Sequence, residues 1–600
     1  MVLARRGRRR RGESGSGRLG GLGENLRLAG FVAAQAGRAG GRRVAALVRA
    51  PIAATGRTPE KLLIAPQDLR TTDPTRAGEI YAGTFTLAGK AVEVRGASPF
   101  LVEPPSRDWA AALHGFGWLR HLRAADTSLA RANARSLVDE WIAARRGRDA
   151  VAASPAVLAR RLISWLCHSP LILDGADRAF YRRFLKSLAR QTRQLGGSAG
   201  GAPEGASRLL AQAALAYAGL CLAGETRLLK TAAKALGDEI ERQILPDGGH
   251  VSRNPATLVD LLLDLLPLRQ AFSARNVQPP QALITAIDRM TPMLRFFRHG
   301  DGEFAQFNGA GPTPTDLVAT ILAYDDVRGL PVEDAPHSGY QRFSAGEALV
   351  IMDAGAPPPF ALSSEAHAGC LSFEFSSGIE RIVVNCGAPR FGRADWEAAA
   401  RATAAHSTAT IGDQSSCRFA SDRLRRFVGA RILSGPSAVE AKRVRDDRGV
   451  TVTASHDGYA KRFGVIHERA VTLSPDGLRL SGADVFRAAE GRAIEGDPRV
   501  ALRFHLHPSV RASARQDGQG VVLALPGGTG WAFSSPGFPV TLEEGISLAS
   551  AHGPRRSEQI VIHATVRGAP EIAWAFERLP GEAAPRRRMP VAAEFDPLPL

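Results

Sequence analysis

His367 opens the run His-Ala-Gly-Cys-Leu-Ser-Phe-Glu-Phe, and His406 follows Arg401-Ala-Thr-Ala-Ala, with Arg381-Ile-Val-Val-Asn-Cys-Gly between the two. Imidazole is the side chain best suited to moving protons or holding a metal near neutral pH. Leu371, Phe373 and Phe375 alternate with polar residues, which reads as a strand with one apolar face. The two imidazoles therefore fall on successive strands of one sheet. Arg401 and Thr403 make His406 part of a polar cluster in an Ala-rich run. That cluster suits a general acid or base, a residual metal ligand, or a tie between loop and sheet. Glu365 lies two residues before His367, on the same face of an extended segment; it reads as a base or as a surface carboxylate.

A second set of polar residues sits in loops between helices. His250, Arg253 and Asn254 share the run Asp247-Gly-Gly-His-Val-Ser-Arg-Asn-Pro. Arg208 opens a helix and suits a carboxylate. Asn308, in Gly302-Glu-Phe-Ala-Gln-Phe-Asn, suits hydrogen bonding to a sugar. Tyr217 lies on an apolar helix face and reads as core. Arg503, His505 and His507 alternate along one strand and point one way, as an anion-binding stripe or a polar outer face beside Phe504 and Leu506. The five cysteines show no CxxC spacing, which excludes a disulfide framework or zinc-thiolate site as the expectation.

The elements that must position these residues fall into two halves. Six hundred residues exceed one ordinary core, so two large domains are expected. Residues 51–335 read as helical: Trp109, Leu113, Phe116 and Leu119 fall at helical spacing, as do Leu158, Leu162, Trp165 and Leu166. Ser207–Ala223, Val259–Leu268 and Ala282–Phe297 continue the pattern, with Gly- and Pro-rich breaks between. Many paired helices with such loops suggest an α/α toroid-like array. Residues 336–580 read as strands joined by turns such as Ser474-Pro-Asp-Gly, an antiparallel β-sandwich. The expected class is thus multidomain α+β. The net charge of +18 is concentrated in the first fifty residues, which hold twelve Arg and two Glu. A basic, partly disordered arm over 1–50 and a tail over 581–600 are expected. Such arms are solvated more often than they read nucleic acid, so no specific nucleic-acid partner is expected. A steep salt dependence lost on deleting residues 1–12 would mark the contrary case. No transmembrane stretch or signal peptide is visible, which makes the cytoplasm the simplest address.

The run His-x-x-x-Leu-Ser-Phe-Glu-Phe, then Ile-Val-Val-Asn-x-Gly, then Arg-x-Thr-x-x-His-x-Thr resembles the heparinase II/III family of polysaccharide lyases. The resemblance is strongest over residues 345–510. It implies an α/α toroid plus an antiparallel sandwich with a glycan cleft between them, an acidic polysaccharide as partner, β-elimination as the reaction, and a cell-envelope address. Such a reaction neutralises the uronate carboxylate, removes the α-proton and protonates the leaving oxygen. Mapped onto this chain, His406 moves the proton with His367 and His250 assisting, and Arg208 or Arg253 meets the carboxylate. Asn254, Asn308 and Arg401 are the remaining substrate contacts. The sequence departs from the family's His-x-His-x-Asp: Glu365 replaces the first His, Gly369 the Asp, and Asn385 an Asp of the next strand. Two histidines rarely hold zinc, so no metal and no other cofactor is expected. The lyase helical-half motifs are also replaced, by Gly205-Ala-Ser-Arg208 and Asn254-Pro-Ala-Thr257. The rival reading is a glycan-binding or scaffold protein on the same fold that has lost turnover.

Overall fold

The computed structural model describes residues 56–580 except 145–148, 325–330 and 390–393, together with Gly30, Phe31, Ala33 and Gly37. The expected tail over 581–600 and nearly all of the expected arm lie outside the described residues.

Helices dominate as far as Ala323. Their placement follows from how much of each circumference is apolar. Ala206–Cys221 and Pro255–Ala274 are apolar nearly all round and are buried along most of their length, so they form the inner layer. Ala206–Cys221 packs against Pro155–Cys167, Thr226–Gln243 and Pro255–Ala274. Arg178–Ser198 and Thr226–Gln243 have one apolar stripe and a charged opposite face, and they lie outside. The inner ring is filled by aromatic side chains: Phe116 meets Trp165 at 5.3 Å and Trp141 meets Trp165 at 5.4 Å between ring centroids. Pro255–Ala274 begins with Asn254 as N-cap and Pro255 at the first helical position, the favoured start. Within this half, Thr84–Leu87 pairs with Lys90–Glu93 as a short hairpin.

From Asp334 the chain is almost entirely strands. A nine-stranded sheet runs in the order Val540–Ser547, Arg555–Thr565, Arg499–Leu506, Glu380–Val384, Phe373–Ser377, Ala348–Asp353, Tyr340–Ala345, Asp334–Ala335, with Ala409–Ile411 also pairing Arg499–Leu506. An eight-stranded sheet packs on it, and the pairings are antiparallel. Aromatics seal the space between the sheets: Phe373 stacks on Trp574 at 5.5 Å and Phe375 meets Trp531 at 5.0 Å. Within the half read as strands and turns, Ala460–Phe463 is a short helix, followed by the strand Val465–Leu473. Gly464, at φ +68°, makes the break, because only glycine enters the left-handed region without cost.

Within this sandwich lies a charged core. Asp484 accepts hydrogen bonds from Arg469 Nε (2.8 Å) and Trp574 Nε1 (2.9 Å) and meets His467 Nε2 at 2.6 Å. Arg469 also donates to the carbonyls of Leu371 and Ser407 at 2.8 and 2.7 Å. It thereby ties one sheet to the two segments that carry His367 and His406. Burial alone would raise the Asp484 carboxyl, but Arg469 and His467 hold it down at about 2.

Candidate functional site

His367 and His406 do come together. His406 Nδ1 lies 2.8 Å from the Ala402 carbonyl and Nε2 lies 3.1 Å from His367 Nδ1. A carbonyl only accepts, so His406 carries its proton on Nδ1. Its Nε2 then holds a lone pair and accepts from His367 Nδ1–H. Both rings are neutral in this arrangement. They are 4% and 1% exposed. Burial pushes His406 down to about 4, and burial with His406 and Arg401 as neighbours pushes His367 well below its ordinary value. A general base needs a free lone pair within reach of substrate. His406 has both ring nitrogens engaged and no surface.

Gly369 explains how the ring fits. A Cβ at that position would stand 2.7 Å from His406 Cδ2, so the imidazole occupies the space an acidic side chain would need. Asn385 is committed as well: its Oδ1 accepts from Ser407 N at 2.9 Å and its Nδ2 donates to Glu374 at 3.3 Å. Glu365 is exposed. The donors present do not fit a metal, and among the described residues no group of three His, Cys, Asp or Glu side chains is placed to hold one.

His250 lies in the loop before Pro255–Ala274. Its Nδ1 accepts from Ser252 N at 3.1 Å, which puts the proton on Nε2, donated to Gln243 Oε1 at 2.9 Å. It is 3% exposed, and burial pushes it down to about 4. His250 was expected to assist in the proton transfer, but the turn around Ser338 that leads into the sandwich packs on its loop. Ser338 N and Oγ both donate to Asp247, each at 2.6 Å, and a Cβ on Gly249 would stand 1.8 Å from Ser338 Oγ.

The basic and amide candidates are joints. Arg253 donates to the carbonyls of Ser338 (2.7 Å), Gly339 (3.0 Å), Gly355 (3.1 Å) and Ala356 (2.9 Å), and to Asp353 at 2.5 Å. Its guanidinium sits 4.6 Å from the Tyr340 ring centre. Every acceptor belongs to the sandwich half, so this residue fastens the two halves together. Burial raises the Asp353 carboxyl, with Arg253 beside it opposing the rise. Asn308 donates to Tyr340 Oη (2.7 Å) and Asp353 (3.1 Å) and accepts from His367 N at 3.3 Å. Asn254 caps its helix by accepting from Ala256 N at 3.0 Å. Arg401 donates to the carbonyls of Ala366 (2.8 Å), Ser363 (2.9 Å) and Ala430. Arg208 donates to Ala202 O at 3.1 Å and lies 3.6 Å from Glu204. Tyr217 is core, as expected, donating to Asp264 O at 2.7 Å. His505 is buried under the segment before Ala409–Ile411, with Nε2 2.9 Å from Ala404 O, whereas Arg503 and His507 on the same face of the strand are half-buried. All five cysteines are buried thiols.

Sequence reasoning passed over Glu374, Asp353 and the Asp484 cluster. Glu374 is fully buried and its Oε1 accepts from Gln306 N (2.8 Å) and Asn385 N (3.1 Å). The available signal was a carboxylate inside, or at the end of, an otherwise apolar strand, since a buried charge persists only with partners.

Comparison places this architecture. Residues 327–575 match the family model described as heparinase II/III-like, C-terminal. The heparan sulfate lyase HepC (a mutant) of Pedobacter heparinus aligns over 93% of this chain and 92% of its own, at TM-score 0.62 and 16% identity. Heparinase III aligns over 82% of this chain and 80% of its own, at TM-score 0.65 and 14% identity. These establish the toroid-plus-sandwich fold. A nearer relative by sequence is FtsZ-localized protein C of Caulobacter vibrioides (strain NA1000 / CB15N), 36% identical over 537 residues that cover 87% of this chain and 91% of the relative.

Proposed function

The chain belongs to the heparinase II/III-like family, and we propose that within it this protein is a catalytically silent member that localises with FtsZ. One observation carries the first half. The imidazole pair that matches the family's motif is buried, neutral and bonded to itself and to a backbone carbonyl. The residues assigned to the carboxylate point the same way. Arg253 spends its donors on five acceptors of the sandwich, and Arg208 on a neighbouring carbonyl. Elimination needs a base, an acid and a cation converging on open space, and this centre supplies packing instead. An acidic polysaccharide, the substrate class that fold-level likeness suggests, is on this reading not cleaved here; fold alone does not transmit chemistry.

Support for the second half is the relative whose name states its localisation with FtsZ, matched over nearly the full length of both chains. The test is imaging. A fluorescent fusion of the full chain, expressed in its own cells beside labelled FtsZ, is expected to overlap the FtsZ signal through the division cycle. A uniform distribution that ignores FtsZ position contradicts the reading.

A further inference from the structure

Phe31 brings the N-terminal segment onto the body of the protein. It sits in Leu28-Ala-Gly-Phe-Val-Ala-Ala-Gln-Ala-Gly, a stretch without a charged residue between Arg27 and Arg38, in the most basic part of the chain. Gly30, Phe31, Ala33 and Gly37 are all helical there. Glycine is a poor helix former, and most helical stability in proteins comes from packing against something else. A helix with two glycines therefore calls for a contact. Gly30, Ala33 and Gly37 are exposed while Phe31 is half-buried, so Phe31 supplies it.

The receiving site belongs to the sandwich half. Phe360 meets the Phe31 ring edge to face, with centroids 4.7 Å apart and planes at 87°, a favoured geometry for two aromatic rings. The Arg431 guanidinium lies 4.9 Å from the centre of the Phe31 ring and 5.8 Å from that of Phe360, within range of a cation–π attraction to both. Arg431 is held in place by donating to the carbonyls of Val428 and, at 3.5 Å, of Ala361, 70 residues away in the sequence. The Phe31 ring thus enters a slot prepared by contacts of the body with itself. Beside the slot, Leu362 packs on the helical half: a Cβ on Gly205 would stand 2.8 Å from Leu362 Cδ2. The slot therefore lies at the seam of the two halves.

We infer that the segment around Phe31 is an intramolecular latch and that the Phe360–Arg431 slot is its receptor. One edge-to-face pair and one cation–π contact to a half-buried ring are modest attractions. The latch is therefore reversible, with docked and released states in exchange and the docked one in about tenfold excess. Docking fixes the point from which the arginine-rich N-terminus leaves the body. Release uncovers two aromatic rings at once, one on the arm and one on the body. None of the slot residues belongs to the histidine centre, so the latch stands or falls apart from the localisation and the catalytic silence proposed above.

The test is limited proteolysis of the full-length protein. Chymotrypsin cuts after an aromatic ring it can enclose, so cleavage after Phe31 tracks the released population. That cut is expected to be about tenfold slower than in a free synthetic peptide spanning the segment, and Phe360→Ala or Arg431→Ala is expected to bring it close to the peptide's rate. Phe31→Ala, a change in the arm that leaves the body's own contacts alone, is read instead by trypsin after Arg27. It is expected to speed that cut about as much as Arg431→Ala does, with the double variant no faster than either. Cleavage after Phe31 at the peptide's rate in the parent protein overturns the latch. So does an unchanged tryptic cut in Phe31→Ala. Effects that multiply in the double variant overturn it as well, since Phe31 and Arg431 then act apart.

Discussion

At the scale of single residues, the chemistry-bearing types of the sequence have become structural types. His250, His406 and His505 are buried and neutral, pushed down to about 4, about 4 and about 3. Each takes up a proton in the unfolded chain near pH 6.5 and in the folded chain only far below that. The unfolded state therefore binds more protons in the window between, and stability falls as pH drops from about 6.5 toward 4. Each such histidine contributes about 1.4 kcal/mol per pH unit across that window. Urea midpoints measured from pH 7.5 to 4.5 are expected to fall steeply, and His250→Asn is expected to flatten the curve. A flat profile in the parent protein contradicts the neutral assignment. Gly369 offers a sharper test. Gly369→Ala drives a methyl toward the His406 ring and is expected to cost about 1–3 kcal/mol, as overpacking does. In a His406→Ala background the same change is expected to cost far less, and denaturation of the four proteins closes that cycle. His367 and His406 were read onto successive strands of one sheet, but both lie in the loops that lead into Phe373–Ser377 and Ala409–Ile411, and they meet there. Their burial was not legible, because it depends on ties between segments distant in sequence: Arg469 donates to the Leu371 and Ser407 carbonyls, and Thr403 to the Ala368 carbonyl.

At the scale of elements, helical periodicity announced the inner helices well: Ser207–Ala223 was read against an observed Ala206–Cys221, and Val259–Leu268 against Pro255–Ala274. The second reading fell short at both ends, missing 255–258 and 269–274, and the observed helix, like the reading, runs through Pro267. Several strands escaped notice, among them Val439–Asp446 and Arg555–Thr565. Both carry charges on exposed edges or faces, so their alternation is weak in hydropathy alone. What joins the two halves was invisible to local pattern, since Arg253 reads as a loop cation and its acceptors lie about a hundred residues on. Arg253→Met removes one partner of a buried pair and strands Asp353, a change expected to cost about 3–5 kcal/mol. Because Arg253 links the halves, the variant is also expected to separate one denaturation transition into two, read by tryptophan fluorescence. A loss below 1 kcal/mol with a single transition contradicts the role of Arg253 as a joint.

At the scale of the whole molecule, the family's architecture is kept while the residues at its motif serve packing. Asp484, Arg469 and Trp574 brace the sandwich from within, and Arg253, Asn308 and Tyr340 close it against the helices. A shape held so firmly across the junction suits a protein that presents surfaces rather than one that opens a cleft. The fold class was legible from the change of periodicity near residue 335. The substitutions on which the proposed loss of chemistry rests were legible: Glu365, Gly369 and Asn385 stand where the family carries His and Asp.

The most direct measurement is the near-ultraviolet absorbance of the unsaturated uronate that elimination creates, followed for purified full-length protein against a panel of acidic polysaccharides, with and without added divalent zinc. We expect no rise above the protein-free rate on any of them. A rise that grows with protein concentration and vanishes in His406→Ala, with that variant still folded, would show that the buried imidazole works as a catalyst after all.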